Sequence, residues 1–247
     1  MAIKIDALAL PTEPLIFQPE ATAVRERVVS SDWQRMLPVL HGAGFHLREL
    51  RRSDAASLFS MLTTEEVARF ITPPPTSVEG FERFIEYANG RRSQGTFACF
   101  AVVPQGLDTA IGIFQLRALD GEFSTAEWGF ALGSPFWGTG LFAKSADLVM
   151  AFAFDAVGVN RLEARAMAAN GRGNGALRKV GAQKEAVLRQ SMAKGGRLHD
   201  EHLWAIVETD WRQANGLWRP AAESLIRQPR LSESFDCWEG IVGERIH

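Results

Sequence analysis

The stretch S-P-F-W-G-T-G-L-F-A-K-S-A-D-L-V-M, Ser134–Met150, sets two glycines one residue apart between an aromatic pair and a long apolar run. Immediately before it, T-A-E-W-G-F-A-L (125–132) reads as a strand, and immediately after it Leu141 to Val157 is apolar almost all round, with Lys144, Asp147 and Asp155 confined to one stripe. That pattern belongs to a largely buried helix, with Gly158 placed as its C-cap. A strand that turns at once into a helix leaves the first backbone N–H groups of the helix without internal partners, at the positive end of its dipole. Glycine at 138 and 140 removes the Cβ atoms that would hold an anion away from those donors. The local sequence therefore reads either as a phosphate cradle or as a tight turn. It lacks the G-K-S/T ending of a nucleoside-triphosphate loop and the third glycine of a dinucleotide fold.

Working outward, G-F-H-L-R-E-L (44–50) is a first strand and R-S-D-A-A-S-L-F-S-M-L-T-T-E-E-V-A-R-F-I (52–71) carries apolar residues at helical spacing. Thr76 followed by Glu79 is a capping-box signature that opens a helix containing Tyr87, the sole tyrosine. Residues 96–103 and 109–119 are strands joined by the P-Q-G-L-D turn. Beyond Gly158, N-R-L-E-A-R-A-M (160–167) returns as a strand, 170–182 forms a glycine-rich turn and helix, and 199–211 ends the core with a strand. This order predicts an α+β fold: a mixed, mostly antiparallel central sheet with helices on both faces and at least one crossover helix. Residues 1–36 read as an N-terminal extension with a helix from Glu20 to Met36, 37–211 as the main domain, and 212–247 as a C-terminal extension. That tail, with Trp218, Trp238 and a short helix over Ala221 to Arg227, packs back on its own domain or on a second copy in a homodimer.

Composition narrows the class. The 247 residues are 46% hydrophobic and 23% charged, with a net charge of -2, and a global nucleic-acid binder is excluded on charge. Between Arg161 and Arg197 nine Lys or Arg face two acids, Glu163 and Glu185, a strip suited to phosphates or simply a solvated face. Basic and aromatic residues are not interleaved there, which argues against nucleic acid as the partner. Cys99 and Cys237 are too few for a disulfide framework, and no ligand spacing predicts a metal. The N-terminus supports neither a signal peptide nor a membrane span, so a cytoplasmic protein is expected.

Two motifs together resemble the Gcn5-related N-acetyltransferase (GNAT) superfamily, specifically its RimJ/RimL-like ribosomal-protein branch. Phe136-Trp137-Gly138-Thr139-Gly140 is similar to the branch's aromatic W-G-x-G turn, and Asn170, Leu177, Lys179 and Gly181 match its N-x-x-S-x-x-x-L-x-K-x-G-F pattern after the intervening helix and strand. Residues 37–59 look like the family's opening strand and helix, so the likeness spans 37–211. The resemblance implies an acetyltransferase with acetyl-CoA as donor and an amine acceptor, either a protein N-terminus or a small molecule. It implies a diphosphate on the N–H groups of Gly138, Thr139, Gly140, Leu141 and Phe142. Trp137 falls in the same cofactor site, its ring with that of Phe136 fixing the turn by packing. A pantetheine arm would lie against the backbone of Phe130, Ala131 and Leu132, with Asn170 and Asn174 contacting the cofactor. Glutamates on the strand before the cradle often serve this superfamily as base, which makes Glu127 the catalytic candidate, with a surface carboxylate as the alternative. Alternation puts Glu127 with Gly129 and Ala131, opposite Trp128, Phe130 and Leu132. His199 and Asp200 are further groups that could face an acceptor.

The chain departs from the pattern at three places. Pro135 stands at the first position of the superfamily's Q/R-x-x-G-x-G/A signature, a change this branch often shows. Leu177 stands where many members carry tyrosine and Gly173 where this branch carries serine, so no acid for the departing thiolate is evident. A thiol of pKa near 8.5 leaves acceptably without help, so turnover does not require one. A non-catalytic acyl-CoA-binding protein, acting as sensor or scaffold, is the alternative that these departures keep open.

Overall fold

The computed structural model describes residues 32–216. The Glu20–Met36 helix falls mostly outside that range, and Trp218, the 221–227 helix, Cys237 and Trp238 lie wholly outside it; of the part within it, 32–36, residues 33–35 form a turn whose Trp33 ring packs edge-on against Phe123 and Phe152. In chain order the elements are β1 (Leu40–Gly42), β2 (Phe45–Glu49), α1 (Ala55–Leu62), α2 (Glu65–Ala68), α3 (Val78–Ser93), β3 (Phe97–Pro104), β4 (Gly112–Ala118) and β5 (Thr125–Leu132). There follow α4 (Leu141–Ala151), β6 (Arg161–Met167), α5 (Gly171–Lys179), β7 (Gln183–Lys194), β8 (Arg197–Val207) and α6 (Glu208–Ala214). They form one eight-stranded sheet of order β1-β2-β3-β4-β5-β6-β8-β7. Every neighbouring pair is antiparallel except β5 and β6, which α4 joins as a crossover. The mixed α+β architecture with helices on both faces is the one the sequence predicts.

The centre of the sheet follows from β3, F-A-C-F-A-V-V-P, which is buried at every position. Phe97, Cys99, Ala101 and Val103 pack under Leu58, Leu62, Phe81 and Ile85 of α1 and α3. Ala98, Phe100 and Val102 face the opposite core with Val149 and Phe152. A strand apolar on both faces needs a layer on each. α4 continues in wider π turns through Phe152–Val157 and stops at Gly158, whose φ of 87° is the left-handed cap that glycine permits.

Several boundaries differ from expectation, each for a local reason. The apolar run 52–71 is not one helix: it begins as a 3-10 turn and breaks at Thr63, whose hydroxyl donates back to the Phe59 carbonyl at 2.7 Å. The cap of α3 is Ser77 rather than Thr76, its Oγ accepting from the Gly80 amide at 3.1 Å. The strand over 199–211 is β8, which ends at Val207; residues from Glu208 turn into α6, burying Trp211. β7 is absent from the sequence reading because it is an edge strand, mostly exposed, whose register shifts between Leu188 and Met192. There Gln190 takes a φ of 52° and its amide donates to the Asp200 carboxylate at 2.8 Å. One oxygen of the Asp200 carboxylate thereby pins the bulge.

The corner between β2 and α1 is held by a buried ion pair. Arg48 meets Asp54 through two parallel bonds of 2.7 and 2.8 Å, and the two residues are 3% and 0% exposed. Asp54 also accepts the amides of Arg51 and Ala110, and Arg48 donates to the Asp108 carbonyl, so one pair joins β2, α1 and the β3–β4 turn. Removing one partner leaves the other charge buried and unpaired. Asp54→Ala should lower unfolding free energy by about 3–5 kcal/mol, read as an earlier midpoint in urea denaturation.

Candidate functional site

β5 and β6 are parallel partners for only three residue pairs, Thr125↔Arg161 to Glu127↔Glu163. Past that point the strands diverge, β5 staying with β4 to Leu132 and β6 with β8 to Met167. The hydrogen bonds that flank β5, Leu119 N–H to Thr125 O and Gly133 N–H to Ile111 O, fix its odd-numbered residues as those bonded to β4. Phe130 therefore turns both of its main-chain groups into the opening, as does the Leu132 amide, while the Leu132 carbonyl accepts the Trp137 indole N–H at 2.9 Å. Across the gap Ala168 bonds to β8, so Arg165 turns its own N–H and C=O toward Phe130. Ala131 departs from expectation: its main chain is spent on Ile113. β4 can come this close only because residue 112 is glycine, whose Cβ would meet the Ala131 oxygen at 2.4 Å.

The wide end of this opening is capped by the glycine turn. Gly138 and Gly140 have φ of 78° and 84°, and a Cβ on either would meet nothing within 4 Å. Gly140 is the N-cap of α4 and offers no side-chain cap. Thr139 closes the turn, its hydroxyl donating to Phe136 O at 2.8 Å and accepting from Leu141 N at 3.3 Å. The amides of Gly138, Thr139, Gly140 and Phe142 find no acceptor among the described residues, and both glycines are exposed. The Leu141 amide is taken by Thr139 and its side chain is fully buried, so this residue supports the turn from behind. Phe142 packs its ring on Phe130 with centroids 4.4 Å apart, fixing helix to strand.

α5 supplies the opposite lip. Asn170 is its N-cap, Oδ1 accepting from Gly173 N at 2.8 Å. A Cβ at residue 173 would meet the Asn170 amide nitrogen at 2.5 Å, so the glycine found there goes with the capping rotamer. Asn174 is 6% exposed and its amide is saturated. Its nitrogen donates to the carbonyls of Met167 and Asn170 at 2.9 and 2.7 Å, and its oxygen bonds Trp204 Nε1 at 2.9 Å and His202 Nδ1 at 3.0 Å. Asn174 thus ties α5 to β6 and β8, its amide fully hydrogen-bonded within the chain. The same network brings in His202 and Trp204, which the alternation of β8 marks only as inward-facing. Leu177 is buried in the core.

On the other face of the sheet, Glu127 lies where the strands begin to part. It keeps the predicted side with Gly129 and Ala131, while Trp128 and Leu132 are buried against α4. Its carboxylate is one-quarter exposed and pairs with Arg117 on β4, a partner that sequence spacing did not reveal. Beside it Arg161 bonds both acids of the predicted basic strip, Glu163 at 2.8 Å and Glu185, which leaves the other cations of the strip without a carboxylate from within it. Further out, the Lys194 ammonium donates to the Ala68 and Ile71 carbonyls, and burial lowers its pKa. That contact joins the β7–β8 hairpin to α2 over this face. His199 is half-buried opposite Met192 on the same hairpin. Among the described residues no group of three His, Cys, Asp or Glu is placed to hold a metal, and no helix is long and apolar enough to cross a membrane.

Comparison with known proteins adds to this geometry. Residues 45–183 match the model for the acetyltransferase (GNAT) domain. The uncharacterized N-acetyltransferase YoaA of Bacillus subtilis is 29% identical over 182 residues, covering 70% of this chain and 98% of its own. RimL, a ribosomal-protein alpha-N-acetyltransferase solved with coenzyme A, superposes with a TM-score of 0.63 at 18% identity over 69% of this chain and 98% of its own. Mycobacterium smegmatis RimJ, solved with a coenzyme A disulfide, gives 0.63 at 20% identity over 72% and 93%. Replacing Asn174 by Leu should strand the buried Trp204 N–H at about 1–3 kcal/mol, while the Met167 carbonyl keeps the Asn170 amide; calorimetry should show a melting temperature a few degrees lower.

Proposed function

The chain belongs to the GNAT acetyltransferase family, an acyltransferase family, and on that premise we propose that it transfers the acetyl group of acetyl-CoA to a primary amine, directly, with both reactants bound together. The observation that carries this reading is the fork between β5 and β6, with unpartnered amides at its wide end and a carboxylate at its apex. From Leu132 back to Glu127 the strand covers about 17 Å at the usual rise. An extended arm laid along Phe130 from the glycine turn therefore brings its far end to Glu127.

In this reading the amides of Gly138, Thr139, Gly140 and Phe142 hold the diphosphate, and the α4 dipole adds to their field. Phe130 N–H and C=O pair with the arm as a strand would. Asn170 borders the same opening, and Trp137 holds the turn in shape through its bond to Leu132. When bound, acetyl-CoA supplies a thioester carbon to which the amine nitrogen bonds as the carbon–sulfur bond breaks, the sulfur leaving as thiolate. Glu127 takes the proton that the amine nitrogen sheds, directly or through one water. Leu177 is buried and Gly173 has no side chain, so neither protonates the sulfur.

The attacking nitrogen must be neutral before it can bond to the thioester carbon, which favours an acceptor of low amine pKa. At pH 7 an α-amino group is neutral in roughly a tenth of molecules, a lysine amine in fewer than about one in a thousand. A protein N-terminus is therefore the acceptor class that fits best, in line with what RimL is named for acetylating. Release of free thiol from acetyl-CoA with a panel of N-terminal peptides and small amines tests the activity; binding of coenzyme A with no thiol released under any acceptor would leave a carrier-binding protein instead.

Two substitutions probe the parts separately. Gly138→Val forces a β-branched residue into a left-handed backbone and should weaken coenzyme A binding at least tenfold by calorimetry; unchanged affinity refutes the cradle. Glu127→Gln should lower kcat about 10²- to 10⁴-fold, with coenzyme A affinity unchanged. A rate profile identical to wild type would assign the proton to solvent.

A further inference from the structure

Arg172, the second residue of α5, lies with its guanidinium carbon 4.4 Å above the centre of the Trp137 ring. The platform beneath it is fixed, because the indole N–H is bonded to the Leu132 carbonyl and the ring packs against both cores. Trp137 immediately precedes Gly138, so the guanidinium is stacked on the residue that leads into the glycine turn. Arg172 is exposed and forms no ion pair with a carboxylate among the described residues, in contrast to Arg48, Arg117, Arg161 and Arg212, each of which does. Stacking occupies the flat face of a guanidinium and leaves its N–H edge directed sideways, the geometry that grips a phosphate through two parallel bonds. Nothing else about this residue needs the arrangement: it is not a cap, and its charge is unneutralised.

We propose that Arg172, stacked on Trp137, is a phosphate-binding residue that completes the glycine turn from the far lip of the opening, gripping the diphosphate through its N–H edge. The inference rests on the acetyl-CoA reading above and adds to it a side-chain cation carried by α5, where the turn itself offers only amides and a dipole. It also gives Trp137 a second duty, as the rigid floor that keeps the guanidinium in place before a ligand arrives. Pre-placing a long side chain spares the ordering cost it would otherwise incur on binding.

The test is calorimetric titration of coenzyme A and of its 3′-dephospho form into wild type, Arg172→Gln and Arg172→Lys. Loss of one charge-assisted contact predicts affinity for both ligands about tenfold or more weaker in Arg172→Gln. Arg172→Lys, which keeps the charge but loses fork and stack, should recover only part of it. Trp137→Leu should weaken binding as well, and adding Arg172→Gln to it should cost less than it does alone, since the two act as a unit. Full affinity for coenzyme A in Arg172→Gln overturns the proposal. So does a loss confined to coenzyme A and absent with the dephospho form, which would move the contact to the 3′-phosphate. Melting temperatures of the unliganded variants within a degree or two of wild type exclude a folding defect. Absence of binding by wild type itself would instead overturn the reading beneath.

Discussion

The molecule turns on a single interruption: β5 and β6, joined for three residue pairs, then part company while each remains bonded to its other neighbour. Main-chain N–H and C=O groups away from water need partners. A sheet that opens in its middle must therefore present those groups to solvent or to something that lies in the gap. Phe130 and Arg165 carry that requirement here, and the surrounding structure serves to keep the gap open. Phe130 is braced on Phe142, Gly112 lets β4 hold β5 back, and Asn174 anchors β6 to α5 and β8.

Two cores sustain this arrangement from opposite faces. α1 and α3 cover one side of β3 and α4 covers the other, so the strands that bear the fork are clamped at their roots. The Arg48–Asp54 pair contributes in a different way. It fixes how the chain leaves β2, and its bond to the Ala110 amide reaches the turn that precedes β4.

The sequence displayed the parts of this structure that have a period or a turn chemistry. Thr125–Leu132 coincides with β5 to the residue, and the apolar run after Gly140 is α4 as far as its π-turn extension and Gly158. What stayed hidden lacked such a signal. β7 is an exposed edge strand with a bulge, so burial imposes no alternation on it. The break at Thr63 comes from one hydroxyl competing with the helix, and an apolar pattern does not register that. At the site, the turn and the face of Glu127 were legible because glycine pairs and strand alternation are local. The Arg117 partner, the saturation of Asn174 and the stacking of Arg172 on Trp137 depend on which strands and helices meet, and spacing along one segment carries no record of it.

The packing around Asn170 has a consequence for how the chain can be altered. The Asn170 side chain occupies the volume that a Cβ on residue 173 would claim. A hydroxyl grafted there to serve a departing sulfur requires the end of the asparagine side chain to shift, and with it the hydrogen bond that caps α5. Positions 170 and 173 are thus coupled: bringing in the serine that the branch's pattern sets beside this asparagine means choosing a new asparagine rotamer as well.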